Sequence, residues 1–527
     1  MGCWRWGVAA LALVSAVLAL EPAVLWRVPV GAMRVRGGLA HEVALGMPEG
    51  IGWGARAIAV LEDGRALGPG RAELADIEKL GGGRFTQRGL SFVVSSSDGT
   101  APEVNGRPYR VQVPLACVPG VVDLVVLGWL AVGWWALSGC GERARLVGVV
   151  AALAGLRCWR FGLVPVVSHP DTALYEVLAA GDPFTRGFWT ATRGGGYPLF
   201  LMLCGGDERV VAWAQLALST VCWVLLGLAV GRRAAGGPVL AMAVVLGIAS
   251  VPEVAQWDHV LLTESVSLSL TALLVALGLW ALEVRSGWRG VPPLLGMVAC
   301  GAALVAVRDA NAVLVAGGAA ACAGGFLWGR LPVRWLCVAA ALAGIVAANG
   351  ASVDRGERWL SPFMNVMRMR LARDPEWATP AGAGEAWARA EGRRAYAKHL
   401  VAHPGRVLEA MRVERDALVE PRLDGYAAPE YVSPLPRPLD SVLYARTPAV
   451  LVALLVMALW AMRPVCSARM VGIVLIAVAP AMAACAIIFD AIETGRHALP
   501  ASVMMRLGAW IIVLMREPGF ARVRRIS

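Results

Sequence analysis

"LLTESVSLSLTALLVALGLWAL" occupies residues 261–282. Beyond Glu264 it carries no charge, and it is as long as a helix that crosses the hydrocarbon core of a bilayer. A carboxylate at the start of such a run is costly unless it is paired. Glu264 therefore predicts a polar cavity at one end of a membrane span.

The same pattern repeats outward from this run. Spans are predicted at about 115–138, 146–167, 208–230, 238–252, 262–282, 291–307, 310–328, 333–349, 447–462, 470–489 and 497–515. A further apolar run, "WGVAALALVSAVLAL" at 6–20, reads as a first anchor or as a signal peptide. With it the total is about twelve transmembrane helices. Only 17% of the 527 residues are charged, against about a quarter in a soluble domain, and mean hydropathy is +0.61. These properties predict an all-α polytopic membrane protein.

The formal charge of +11 resides largely in short loops: "CGERAR" at 140–145, "GRR" at 231–233, "RSGWRG" at 285–290, "RLPVR" at 330–334 and the basic tail. Alternating sides along the span list puts all of them in the cytoplasm, the positive-inside pattern, so the charge sets orientation and requires no nucleic acid partner. The 21 Trp suit interfacial anchoring. The 11 Cys form no CxxC and fall mostly in apolar runs, which argues against both a disulfide framework and a zinc site.

The chain divides into an N-terminal anchor at 1–26, an extracytoplasmic β-rich domain at 27–114, and a transmembrane core at 115–349 with a first outer loop at 168–207. A long, partly helical extracytoplasmic loop follows at 350–445, then C-terminal spans and a cytoplasmic tail at 446–527. The β-rich insertion is read from "RAIAVLEDGRAL", "GLSFVVSSSDG" and "NGRPYRVQVPL", with their Asp-Gly and Asn-Gly turns. In the long loop, "AWARAEGRRAYAKHLVAHPGRVLEAMRVERDAL" is helical in pattern, and "APEYVSPLPRPLD" predicts an extended return to the membrane.

The outward segments carry the chemistry. "HPDTALYEVLAAG" at 169–181, with "RGGGYPLFL" at 193–201, resembles the first outer loop of the GT-C superfamily of integral-membrane glycosyltransferases. That superfamily includes enzymes like the protein O-mannosyltransferases and the lipid A aminoarabinose transferases. Asp171, Tyr175, Arg193, Tyr197 and Pro198 match the pattern. "LLTESVSLSL" resembles the Glu-Ser entry into a middle span at Glu264 and Ser265, and "GRHALP" resembles a late Arg-to-Pro segment at Arg496 and Pro500. Thr172 stands where many members have a second acid, Gly495 replaces a late Glu, and His497 replaces a Tyr.

The resemblance implies an inverting transfer of a sugar from a polyprenyl-phosphate donor to a lipid or glycan acceptor, in preference to a protein one. The site would face outward from the cytoplasmic (inner) membrane of a bacterium, among membrane lipids. An acceptor hydroxyl needs a base, and a phosphate leaving group needs cations. Asp171 is the candidate base, and on a helix Tyr175 shares its face. The competing reading makes Ser168 an N-cap and Asp171 the third residue of a capping box. Tyr175, Arg193, Tyr197, Asp258 and Glu264 are the candidate substrate-binding residues, with Asp258 alternatively a solvated boundary carboxylate and His259 interfacial.

Arg308, Arg496 and His497 are the candidates for the donor phosphate, supported by Arg193. Arg308 could instead pair locally with Asp309, and Arg496 could snorkel to the interface. His399 and His403 share the i, i+4 spacing but lack a third ligand, so no motif supports a divalent cation or other cofactor. The arginines of 355–394 read as a solvated face or as contacts to lipid phosphate or an anionic acceptor. A flippase or exporter of lipid-linked sugars shares the bulk features, as does a glycan polymerase or ligase using a diphosphate-linked donor. Acids gathered at outer loop ends favour the transferase.

Overall fold

The computed structural model describes residues 25–29, 33–44, 59–68, 72, 74–88, 91–114, 141–163, 166–283, 288–371, 377, 384–415, 419, 435, 437–462, 467–489 and 494–515. The chain forms two compact units. One comprises Met1–Gly141, Trp159–Pro165 and Ala428–Arg437, and the other comprises Glu142–Cys158, Val166–Ala427 and Pro438–Ser527. The apolar runs at 6–20 and 115–138 and the tail beyond 515 lie outside the described residues.

Among the described residues of the first unit, eight strands form two antiparallel sheets: β1 (Leu25–Pro29), β2 (Met33–Gly37), β3 (Ala40–Ala44), β4 (Ala59–Glu62), β5 (Arg65–Ala66), β6 (Phe85–Arg88), β7 (Ser91–Val94) and β8 (Tyr109–Pro114). Their orders are β1-β8-β4-β5 and β2-β3-β7-β6. Asp63 and Gly64 both take positive φ, as a two-residue hairpin turn between β4 and β5 demands. Val60 and Val111 pair across β4 and β8 and are buried. The Leu74–Leu80 helix adds Ile77 to a small core with Ala40 and Val93. Glu62 is buried, accepting hydrogen bonds from the Ser97 N–H at 3.1 Å, from Arg107 at 3.2 Å and from the Tyr109 hydroxyl.

The second unit is helical. Among the described residues six helices are long and apolar enough to cross a membrane: Glu208–Gly231, Thr263–Glu283, Asp309–Leu327, Arg334–Arg355, Ala468–Phe489 and Thr494–Leu514. Gly237–Ser250 and Pro252–Asp258, bent by 61°, add a seventh if they form one broken span. Val291–Val307 and Pro448–Ala461 are apolar but shorter. The chain is thus read as a multi-pass membrane protein, with fewer full-length helices described than the roughly twelve expected.

Small residues permit close helix packing, as in membrane bundles. A Cβ on Gly472 would lie 2.5 Å from the Gly508 carbonyl oxygen, and one on Gly508 would lie 2.6 Å from that of Gly472. The last two long helices therefore meet backbone to backbone.

The long loop is more helical than expected at both ends. The Arg334–Arg355 helix overruns its predicted boundary at 349, and Leu360–Met369 forms another helix with a buried apolar face. Of the Pro-rich return at 428–440, only the end falls in a helix, Arg437–Tyr444, where Pro438 is in the first turn and its missing N–H costs nothing; residues 428–434 and 436 lie outside the described residues.

Candidate active site

Asp171 sits in the first turn of the Pro170–Ala179 helix. The N-cap is His169, whose Nδ1 accepts the Asp171 N–H at 3.0 Å. Thr172 completes the capping box: its hydroxyl accepts the His169 N–H at 2.9 Å and donates to the Leu261 carbonyl at 2.7 Å. This overturns the Ser168 cap, since Ser168 instead donates to Glu208 at 2.6 Å. Pro170 at the first helical position was the available signal, because the cap is then the residue before it. With Thr172 serving the cap, the Asp171 carboxylate is left to face the cavity.

Two arginines reach that carboxylate. Arg193 Nη2 lies 2.7 Å from Oδ1 and Arg496 Nη2 lies 3.3 Å from Oδ2. Arg193 precedes a glycine run that packs on the end of the Val291–Val307 helix. A Cβ on Gly194 would fall 2.6 Å from the Ala306 carbonyl oxygen, and one on Gly196 would fall 2.6 Å from Val307 N. Only glycine permits that approach.

Arg496 also contacts the second acid. Its Nε lies 3.2 Å from Glu264 Oε1, and Arg308 Nη1 lies 3.1 Å from the same oxygen. Glu264 is 1% exposed and stands in the first helical turn, where the backbone dipole favours a negative charge. The costly acid at the start of the apolar run is therefore paired twice. The His169 Nε2 and His497 Nε2 atoms lie 3.2 and 3.1 Å from Arg496, so this guanidinium faces inward and does not snorkel.

Arg308 does not pair with its neighbour. Asp309 instead takes Arg358, whose Nε lies 2.9 Å from Oδ2 and whose Nη2 lies 3.0 Å from Oδ1. Arg308 has extended backbone between a helix and a short 3-10 turn, and Asn311 ties that turn back to the Leu304 carbonyl at 2.9 Å. Arg308 is extended and Asp309 opens the turn, so neighbouring positions in the chain take different partners.

These groups line one cavity of about 750 Å³. Asp171, Tyr175, Arg193, Glu264, Arg308, Arg496 and His497 all contribute to it. Asp309, Asp354, Arg358 and Arg393 extend the charged wall, while Trp359, Phe363, Tyr396 and Phe489 supply an aromatic one. Burial pushes the Tyr175 hydroxyl up to about 12, so it is a hydrogen-bond donor at neutral pH and not a base.

Tyr197 and Asp258 are not in the cavity lining. Tyr197 is fully buried and packs edge-on against Tyr175, with ring centroids 5.1 Å apart. Asp258 is 1% exposed, bonded to Arg157 at 2.7 Å and to the Ser265 hydroxyl at 2.6 Å. It is not a solvated boundary carboxylate, and His259 beside it is equally buried. Sequence reasoning missed Arg157, Gln215 and the individual role of Arg358. A basic residue inside the 146–167 apolar run was a usable signal for Arg157. No group of three or more His, Cys, Asp or Glu able to hold a metal occurs among the described residues. The His399 and His403 rings lie 4.7 Å apart.

No protein-family model matches the chain, and no curated protein matches it. Among solved structures, the crystal structure of ArnT from Cupriavidus metallidurans bound to undecaprenyl phosphate is similar at 15% identity. The likeness covers 71% of this chain and 77% of that one, with a TM-score of 0.32. A superposition that loose establishes neither a shared fold nor a shared activity.

Proposed function

We propose that the protein is a GT-C-type glycosyltransferase that moves a sugar from a polyprenyl-phosphate donor to a lipid or glycan acceptor at the outer face of the cytoplasmic membrane. The observation that carries this reading is the Arg496 guanidinium shared between Asp171 and Glu264 on one cavity wall. The motif resemblance of the Asp171, Glu264 and Arg496 segments supports it as well.

In this reading the donor phosphate enters among Arg308, Arg496 and Arg193. The phosphodiester anion competes with carboxylates for a guanidinium fork, so it draws Arg496 away from Asp171. Oδ2 is then free to accept the proton of an acceptor hydroxyl. The hydroxyl oxygen attacks the anomeric carbon from the face opposite the phosphate, the sugar–phosphate C–O bond breaks, and polyprenyl phosphate leaves as an anion held by arginine. Configuration inverts. Glu264 keeps Arg308 and Arg496 aimed at the phosphate oxygens, and Tyr175 donates a hydrogen bond to the sugar or acceptor.

The test supplies radiolabelled polyprenyl-phosphate sugars and membrane acceptor extracts to the purified protein. Asp171→Asn keeps the shape and removes the base, so transfer should fall by about 10²- to 10⁴-fold. Undiminished transfer would show that Asp171 is not the base. Movement of lipid-linked sugar across liposomes with no transfer would favour a flippase instead.

A further inference from the structure

Gln215 lies in the Glu208–Gly231 helix and is completely buried. Its Nε2 faces three backbone carbonyls, those of Trp257 at 3.3 Å, Asp258 at 3.1 Å and Val260 at 3.0 Å. Its Oε1 accepts the Tyr197 hydroxyl at 2.8 Å. Carbonyls only accept, so the nitrogen must be the end that faces them, and the amide has one possible orientation. Both ends of the amide are engaged, in a region where an unmet hydrogen bond is expensive.

The turn that Gln215 grips joins the two acids. The Val167 N–H donates to the His259 carbonyl at 2.9 Å, and the Leu261 N–H donates to the Val167 carbonyl at 3.0 Å. The Leu261 carbonyl accepts the Thr172 hydroxyl at 2.7 Å. Thr172 directly follows Asp171, and Leu261 lies one short stretch ahead of Glu264 on the same strand of chain. A shift of the 257–261 backbone therefore displaces both carboxylates relative to Arg496. Gln215 itself lies outside the cavity lining, so it touches no substrate.

We infer that Gln215 is a positioning residue: its amide clamps the 257–261 turn and so sets the spacing at which Asp171 and Glu264 share one guanidinium. The inference rests on the transferase reading for its kinetic consequence, while its structural consequence can be measured without any sugar.

The test compares full-length wild type and Gln215→Leu in lipid nanodiscs. Hydrogen exchange at the Val167 and Leu261 amides should accelerate while the Glu208–Gly231 helix keeps its protection. With the polyprenyl-phosphate sugar as donor, kcat should fall roughly 10- to 100-fold, the effect of an ångström-scale misplacement, with the donor KM nearly unchanged. Gln215→Glu keeps the length and the acceptor for Tyr197 and is read in the same way if the leucine variant does not fold. Unchanged exchange at both amides, or accelerated exchange with kcat still at the wild-type value, overturns the inference. If the wild type transfers no sugar, the transferase reading fails. The clamp then stands or falls on whether faster exchange is confined to those two amides.

Discussion

Asp171 and Arg496 are 325 positions apart in the chain and 3.3 Å apart in space. Arg496 stands in the first turn of the last described helix and Asp171 in the first turn of the Pro170–Ala179 helix. The same guanidinium reaches Glu264 at 3.2 Å. One cation thus holds two acids that share no local sequence.

An ammonium has one nitrogen where that bridge uses two, Nη2 to Asp171 and Nε to Glu264. Arg496→Lys keeps the charge but loses the fork. Transfer should drop by about 10²-fold, the usual cost of losing one donor aimed at developing charge. Steady-state kinetics across donor concentrations will measure it, and wild-type turnover in the lysine variant would remove Arg496 from the phosphate site.

The Arg157–Asp258 pair has both side chains almost wholly buried, at 1% and 2% exposure. Breaking it from one side leaves an uncompensated buried charge, at a cost of about 3–5 kcal/mol. Arg157→Leu alone should lower the thermal midpoint sharply, and adding Asp258→Leu should restore most of the loss. A double-mutant cycle by thermal denaturation in micelles tests this, and additive losses would show that the two residues act independently.

Thr172→Asp introduces a second acid next to Asp171. Here the position is 1% exposed, and its hydroxyl donates to the Leu261 carbonyl. A carboxylate still accepts the His169 N–H but cannot donate, and it faces a carbonyl oxygen. The variant should lose about 1–3 kcal/mol of stability and gain no activity. A rise in the melting temperature would mean that the capping geometry is wrong.

Glu62 on β4 is tied to Tyr109 on β8 and to the Ser97 and Arg107 loops. Burial raises its pKa, but hydrogen bonds from Ser97, Tyr109 and Arg107 outweigh this and hold it below the ordinary value of 4.5. A carboxyl with a depressed folded pKa stabilises fully above its unfolded value and loses that contribution as pH falls through the folded one. Hydrogen-exchange protection of β4 and β8 should therefore persist at pH 5 and weaken below about pH 4. Glu62→Gln should abolish the pH step, and a step that survives in this variant would assign it to another group.

The cavity residues were legible one at a time because each breaks a local rule. Glu264 interrupts an apolar run, Arg308 stands at a turn between spans, and Asp171 and Arg193 flank a loop too polar for its neighbours. The close backbone approach of Gly194 and Gly196 to Ala306 and Val307 comes from the structure. The alternatives for Ser168, Arg308, Asp258 and His259 failed because each depended on a partner or a solvent exposure that adjacent sequence cannot show. Asp258 read from the sequence either as a substrate-binding acid or as a solvated boundary carboxylate, yet its partner is Arg157 on another helix.

By itself the sequence determined that the chain is rich in membrane-length helices and which polar residues must be paired, because hydrophobic length and the cost of buried charge are properties of single segments. Only the tertiary structure decided the pairs. Ion pairs such as Arg496 with Glu264, Arg358 with Asp309 and Arg157 with Asp258 depend on which helices pack together. So does the clamp of Gln215 on the 257–261 turn, since a side-chain amide bonds whatever carbonyls the neighbouring helix brings within reach.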